Sequence, residues 1–102
     1  MRSSRKLFRL APERSLQDLI SVGPAMRRDF ELLGIRSVAQ LVRANPRQLY
    51  KKLCRLTGRQ QDICCLDVFS AAVAQARHPR LPVEQCVWWY WSRKRKARSA
   101  GA

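Results

Sequence analysis

The residues whose types and spacing best suit binding chemistry form a glycine-proline turn between two helical patterns, at Gly23 and Pro24. Pro24 suits the first position of a helix, where its missing N–H costs nothing. The first N–H groups of any helix lack acceptors within the helix, and the helix dipole adds positive potential there. The N–H groups around Gly23, Ala25 and Met26 are therefore candidate ligands for one phosphate group.

Two arginines one helical turn later, Arg27 and Arg28, can supply formal charge to the same anion. Glycine at position 23 allows the anion to approach the backbone closely. Contacts of this kind hold a protein on a nucleic acid without reading its sequence. The alternative is an ordinary interhelix turn, because glycine and proline punctuate most loops. The predicted phosphate-binding residues are Ser21, Val22, Gly23, Pro24, Ala25, Met26, Arg27 and Arg28.

The other reactive side chains form no active site that the sequence can support. Cys54, Cys64 and Cys65 lack metal-knuckle spacing, so buried thiols are favoured over a metal site. His78 precedes a proline and has no carboxylate neighbour, which favours a linker histidine. Asp62 is best interpreted as a helix cap and Asp67 as a surface charge. We therefore expect no enzyme activity, no cofactor, no metal and no small-molecule substrate.

The charge balance points to a polyanionic partner. The chain has 102 residues with 21 Lys and Arg against 7 Asp and Glu, a formal net charge of +14. The last ten residues, 93–102, hold five of the basic residues, and residues 1–14 hold five more against one acidic residue. Basic residues four apart on a predicted helix add a further face, which is either solvated or in contact with phosphates. The predicted auxiliary basic surface is Arg47, Lys51, Lys52, Arg55, Arg59, Arg93, Lys94, Arg95 and Lys96.

Helical periodicity and capping signals predict the elements that position these groups. Capping boxes begin at Ser15 and Ser37, prolines 24 and 46 begin helices, and glycines 34 and 58 end them. No strand pattern occurs, so the fold class is all-α: a compact five-helix bundle of the SAM-like or helix-hairpin-helix kind with basic, flexible tails. The predicted helices are 15–20, 24–33, about seven residues from position 38, 46–57 and 63–77.

The apolar positions of these helices indicate the core. The last of them is apolar on every side, which is typical of a helix at the centre of a bundle. The predicted inward residues of the three helices before it are Met26, Phe30, Leu33, Val38, Leu41, Val42, Leu49, Leu53 and Leu56.

An aromatic run near the end, Trp88, Trp89, Tyr90 and Trp91, has two interpretations. At least two of the tryptophans can fold over the bundle and complete a small core, because each can bury about 150–250 Å². Alternatively, an exposed tryptophan beside the basic tail can stack on unpaired bases. The degree of exposure decides between them.

The domain organisation follows from length and composition. We expect a basic arm at 1–14, a helical domain at 15–92 that includes the aromatic segment, and a disordered basic tail at 93–102, where like charges repel one another. The longest apolar run has six residues, Cys86 to Trp91, too short for a membrane span or a signal-peptide centre. We expect a cytoplasmic protein with reduced cysteines; the Arg- and Ser-rich start also suits an organelle transit peptide.

The turn and its neighbours resemble two known patterns. The segment from Leu16 to Pro24, followed by a helix ending at Gly34-Ile35, resembles a helix-hairpin-helix DNA-backbone-binding motif, with Ser21 at a position where glycine is common. A larger set of linked motifs over 15–92 is similar to the bacterial pathogenicity-locus family, some members of which carry a mitomycin-resistance label. Those motifs are Val22-Gly23-Pro24, Leu33-Gly34-Ile35-Arg36-Ser37, Asn45-Pro46 with Leu49-Tyr50, Leu53-Cys54 with Thr57-Gly58, Asp62 to Phe69, and Trp88-Trp89 with Trp91.

The resemblance implies a small bacterial helical domain that binds DNA, in a context of DNA damage, with no assigned reaction. With the charge, it predicts non-catalytic, largely sequence-independent binding to the DNA backbone, on duplex or branched DNA. The alternative is a SAM-like adaptor that docks an acidic protein partner. We expect no membrane partner.

Overall fold

The structure is a computed structural model, and it describes residues 14–101. Over this range the chain is all helical, as predicted, with five α-helices, two single-turn 3-10 helices and no strand. The α-helices are α1 (Pro24–Leu32), α2 (Val38–Val42), α3 (Pro46–Thr57), α4 (Cys64–Arg77) and α5 (Trp88–Gly101), and the 3-10 turns are Leu16–Asp18 and Val83–Gln85. The predicted basic arm lies almost entirely outside the described residues.

Local sequence signals fix most helix ends. The Ser37 hydroxyl accepts from the Gln40 N–H, and Asn45 Oδ1 accepts from the N–H groups of Arg47 and Gln48. Gly34 ends α1 with φ 79°, and the Ile35 N–H returns to the Phe30 carbonyl at 2.8 Å. A left-handed residue at this point satisfies carbonyls that the helix end leaves open. The capping predictions for α1 to α3 are confirmed.

The core is built around α4, as its apolar character predicts. The rings of Phe30 on α1 and Phe69 on α4 are both fully buried, with centroids 5.4 Å apart. Val42 and Leu56, which the periodicity places inside, are instead 42% and 53% exposed, because α2 and α3 are packed through their other apolar residues. The core cluster draws on every α-helix except α5 and on the loops that flank α1: Leu19, Val22, Phe30, Leu33, Ile35, Val38, Leu41, Leu49, Leu53, Phe69, Ala72, Val73 and Ala76.

Two predicted segments need correction. The helix expected over 15–20 is only the single 3-10 turn Leu16–Asp18, after which Leu19 turns to extended backbone. The disordered tail expected over 93–102 is instead helical as far as Gly101, as the continuation of α5. No helix among the described residues is long and apolar enough to cross a membrane.

An ion pair between α4 and α5 explains the ordered tail. Arg95 donates two hydrogen bonds of 2.9 Å each to the two carboxylate oxygens of Asp67. Asp67 is not the surface charge that its sequence position suggests, since it is 1% exposed. The Arg95 guanidinium also reaches the hydroxyl of Ser92, which is itself buried. These contacts fasten the basic helix to the bundle and offset the repulsion among its like charges.

Candidate functional site

The Gly23 turn, which comprises residues 20–26, leaves the start of α1 open. The first helical hydrogen bond runs from the Arg27 N–H to the Gly23 carbonyl at 3.0 Å, so the N–H groups of Ala25 and Met26 precede the helical ladder. Within residues 14–101 no side chain caps this end of the helix. Gly23, Pro24 and Ala25 are all exposed. Within the part of the chain that the structure describes, the turn therefore presents backbone donors without partners at the positive end of a helix.

Space in front of the turn is also open. Gly23 has φ −93° and ψ −174°, a conformation that any L-residue can adopt. Apart from its two chain neighbours, a methyl group added at this position would meet no atom of residues 14–101 within 4 Å. The fold would therefore accept a larger residue here. The absence of a side chain at Gly23 leaves room for a ligand to approach the backbone.

Ser21 has the positive φ that its position in the turn suggested, at 76°. Its hydroxyl accepts from the Trp88 N–H at 3.0 Å and donates to the Cys86 carbonyl at 3.4 Å. The serine side chain thus caps the start of α5, although Ser21 and Trp88 are 67 residues apart in the chain. These two hydrogen bonds offset the backbone strain that a glycine would avoid.

The variants Ser21→Ala and Ser21→Gly separate the loss of these hydrogen bonds from the relief of backbone strain. Both variants lose the bonds to α5, which costs about 1–2 kcal/mol of the free energy of unfolding. Glycine relieves the left-handed strain, so we expect Ser21→Gly to be more stable than Ser21→Ala by about 1 kcal/mol. Urea unfolding followed by circular dichroism measures both. Equal stability of the two variants would contradict the left-handed conformation at Ser21.

Gln75 on α4 holds the turn from behind. Its side-chain amide accepts from the Ile20 N–H and donates to the Ile20 carbonyl, both at 2.9 Å, and it reaches the Cys86 carbonyl at 3.4 Å. The residue is 5% exposed, in a helix whose other inward residues are almost all apolar. Sequence reasoning missed it, although a lone glutamine in such a helix was the available signal.

The eight predicted phosphate-binding residues differ in their exposure and in the direction of their side chains. Gly23, Pro24, Ala25 and Arg28 are exposed, and Met26 and Arg27 are half-buried. The side chains of Ser21 and Val22 point into the protein, where Val22 joins the core. The Arg27 guanidinium donates to Gln17 at 3.1 Å, and its Nε is buried without a hydrogen-bond partner in residues 14–101. Arg28 is therefore the more exposed of the two arginines.

The auxiliary basic surface is exposed at every predicted position except Arg95. Arg95 is half-buried and its charge is already paired with Asp67 inside the protein. The bidentate bond to the Asp67 carboxylate raises the pKa of Arg95 further above its usual value. The exposed members are Arg47, Lys51, Lys52, Arg55, Arg59, Arg93, Lys94 and Lys96.

A groove that sequence reasoning did not anticipate lies between the start of α3, α4 and α5. One part, with a volume of about 250 Å³, is lined by Arg47, Leu66, Lys94 and Arg98 among others. A second part of about 320 Å³ continues toward His78 and Leu81. The two parts share Pro46, Ser70 and Trp91. We call the whole the α3–α5 groove.

The tryptophans of the aromatic run differ in exposure, so the core and stacking interpretations each fit part of the run. Trp88 and Trp91 are half-buried, whereas Trp89 is 48% exposed. The Trp91 indole N–H donates to the Gln85 carbonyl at 2.8 Å, which fixes its ring beside the groove. The Lys94 ammonium lies 5.6 Å from the centre of the same ring, within cation–π range.

The cysteines are free thiols. Burial raises the pKa of Cys64, Cys65 and Cys86, so these thiols are protonated near neutral pH. No group of three or more potential metal ligands occurs among the residues that the structure describes.

Together these features define a small all-helical protein with an uncapped glycine-proline turn and a basic surface. Comparison with known proteins places it more narrowly: the model of the pathogenicity-locus family (Cdd1) matches residues 11–97, and the chain belongs to that family. It is 37% identical over 86 residues to the "mitomycin resistance protein McrB" of Streptomyces lavendulae, covering 84% of this chain and 78% of the relative. No solved structure matches significantly.

Proposed function

We propose that this protein binds DNA non-catalytically through the sugar-phosphate backbone, largely without sequence preference, and that the Gly23 turn is its helix-hairpin-helix contact. The observation that carries the proposal is the uncapped start of α1, with exposed backbone donors and open space before Gly23. Such a site can bind the oxygens of one phosphate group and makes no contact with base edges. The name of the mitomycin-resistance relative suggests a role in DNA repair or damage tolerance.

Three features of the chain support a nucleic-acid ligand over other anions. The net charge of +14 supplies long-range attraction to a polyanion. Arg28 is exposed one turn from the uncapped N–H groups and can add a charged contact to the same or the next phosphate. Ser21 and Gln75 fix the turn by hydrogen bonds to α4 and α5, so its geometry is formed before any ligand arrives.

Gly23→Asp tests the site with opposite effects on folding and binding. Aspartate at this N-cap position can accept from the open N–H groups itself, so we expect stability to stay the same or rise by a few tenths of a kcal/mol. It also places a negative charge where the phosphate would bind. We expect affinity for a short duplex to fall about 10–100-fold, which corresponds to losing one charge-assisted hydrogen-bonding contact.

Gly23→Asn is the matched control, because it fills the same donors without the charge and should lose less affinity than the aspartate variant. Affinity is measured by fluorescence anisotropy at several salt concentrations, since log affinity falls linearly with log salt for phosphate contacts. Unchanged duplex affinity in Gly23→Asp would remove the Gly23 turn from the proposal. A wild-type protein that binds no DNA even at low salt would favour the adaptor with an acidic protein partner.

A further inference from the structure

The α3–α5 groove concentrates exposed cations that form no ion pair within residues 14–101. Arg47, Lys94 and Arg98 line its first part and are exposed. The carboxylate in the same wall, Asp67, is neutralised by its bidentate bond to Arg95. This first part therefore carries an excess positive charge of three, from side chains on α3 and α5, and Arg77 lines the second part. Because the N–H groups of Arg47 and Gln48 are already bonded to Asn45, any attraction for an anion comes from these side chains rather than from the helix end.

Apolar and aromatic side chains line much of the groove, beside the polar or charged side chains of Ser70, Arg77, His78 and Gln85. Leu66 and Trp91 line the charged part, and Pro46, Val73 and Leu81 line its continuation. Trp91 belongs to both parts and is held in place by its bond to Gln85. An aromatic ring beside a basic groove is the usual arrangement for a single nucleic-acid strand, whose bases stack while its phosphates meet the cations.

The concave shape favours a strand with unpaired bases over a duplex. In a duplex the bases are stacked and paired inside, so only the backbone could meet this surface and the apolar lining would remain without a partner. An unpaired nucleotide presents a phosphate and a base face together, which matches the two chemistries of the groove.

We propose that the α3–α5 groove binds an unpaired nucleotide, with its phosphate on Arg47, Lys94 and Arg98 and its base against Trp91. The inference deepens the proposed function, because it makes the preferred ligand DNA with a single-stranded segment beside a duplex. Ser21 caps α5 at Trp88, and Arg98 lies ten residues further along the same helix. Trp91 and Lys94 lie three and six residues beyond Trp88, so the groove residues of α5 follow the contact that holds the turn by a helix rise of about 5–15 Å.

The groove variant combines Arg47→Gln, Lys94→Gln and Arg98→Gln, and the control combines Arg36→Gln, Arg43→Gln and Arg80→Gln, which belong to neither predicted basic site. Both remove three exposed charges, but the control residues do not line the groove. The probes are a short oligothymidylate, a blunt duplex, and the same duplex with a single-stranded tail. We expect the groove variant alone to lose about tenfold or more of its oligothymidylate affinity and to reduce the salt slope by about two, at ~0.7 per lost contact.

The outcomes separate this inference from the proposed function. Equal oligothymidylate affinity in the groove and control variants would overturn the groove site, whatever the Gly23 variants do. An equal loss on duplex and oligothymidylate would show a general backbone-binding surface and would also overturn the unpaired-nucleotide site. Loss on the oligothymidylate and the tailed duplex, with blunt-duplex affinity at the control level, supports it. An oligonucleotide carrying iodouracil should then cross-link to the peptide that contains Trp91.

Discussion

Arg95→Ala is expected to destabilise the protein by about 3–5 kcal/mol, although it removes only one of the chain's many positive charges. Asp67 is 1% exposed, and the Arg95 guanidinium bonds both of its carboxylate oxygens. Without the arginine, the carboxylate remains buried and loses the bidentate hydrogen bonds of its ion-pair partner. Leaving one charge buried and unpaired costs much more free energy than the intact ion pair contributes to stability.

Arg93→Ala is the matched control, since it removes the same charge from an exposed position of the same helix. Its stability should change by less than ~0.5 kcal/mol. Chemical unfolding measures both variants. The double variant Asp67→Leu with Arg95→Met removes both charges together, so it should recover most of the stability lost in Arg95→Ala. If Arg95→Ala and Arg93→Ala unfolded at the same denaturant concentration, the ion pair would not hold α5 in solution.

Local signals in the sequence were sufficient wherever a helix end depends on its own residues. Gly34 takes a positive φ and Ser37 caps α2 because each needs only neighbouring atoms to satisfy its backbone. The open start of α1 at Gly23 was also predictable, since Pro24 fixes the first helical position. The exposed, uncapped part of the candidate site is therefore visible in the sequence.

The supporting contacts could not be predicted in this way, because they join residues far apart in the chain. Arg95 and Asp67 are 28 residues apart, and without that pairing a run of like charges indicates disorder. Ser21 reaches Trp88 across 67 residues, so its hydroxyl offered no local clue. The α3–α5 groove depends on the same docking of α5. The site is thus ordered by tertiary contacts between distant residues, which no single segment of the sequence reveals.

Gln75→Leu is expected to weaken duplex binding without changing the charge of the protein. The variant removes the hydrogen bonds that hold Ile20 on both sides and leaves its N–H and carbonyl without their partner. Leaving such groups unsatisfied costs about 1–3 kcal/mol each, less where water can reach them. We expect stability to fall by about 2–4 kcal/mol and the conformation of the Gly23 turn to loosen.

If backbone geometry at the turn contributes to affinity, the folded fraction of Gln75→Leu should bind duplex about tenfold more weakly than the wild type, which corresponds to about 1.4 kcal/mol. Gln48→Leu is the control, because it makes the same change at an exposed position. Titrations at low temperature, corrected for the folded fraction, separate binding from unfolding. The salt slope should stay the same in both variants, since no phosphate-neutralising charge is lost. Wild-type affinity in folded Gln75→Leu would mean that net charge alone holds the DNA and that the ordered turn contributes nothing.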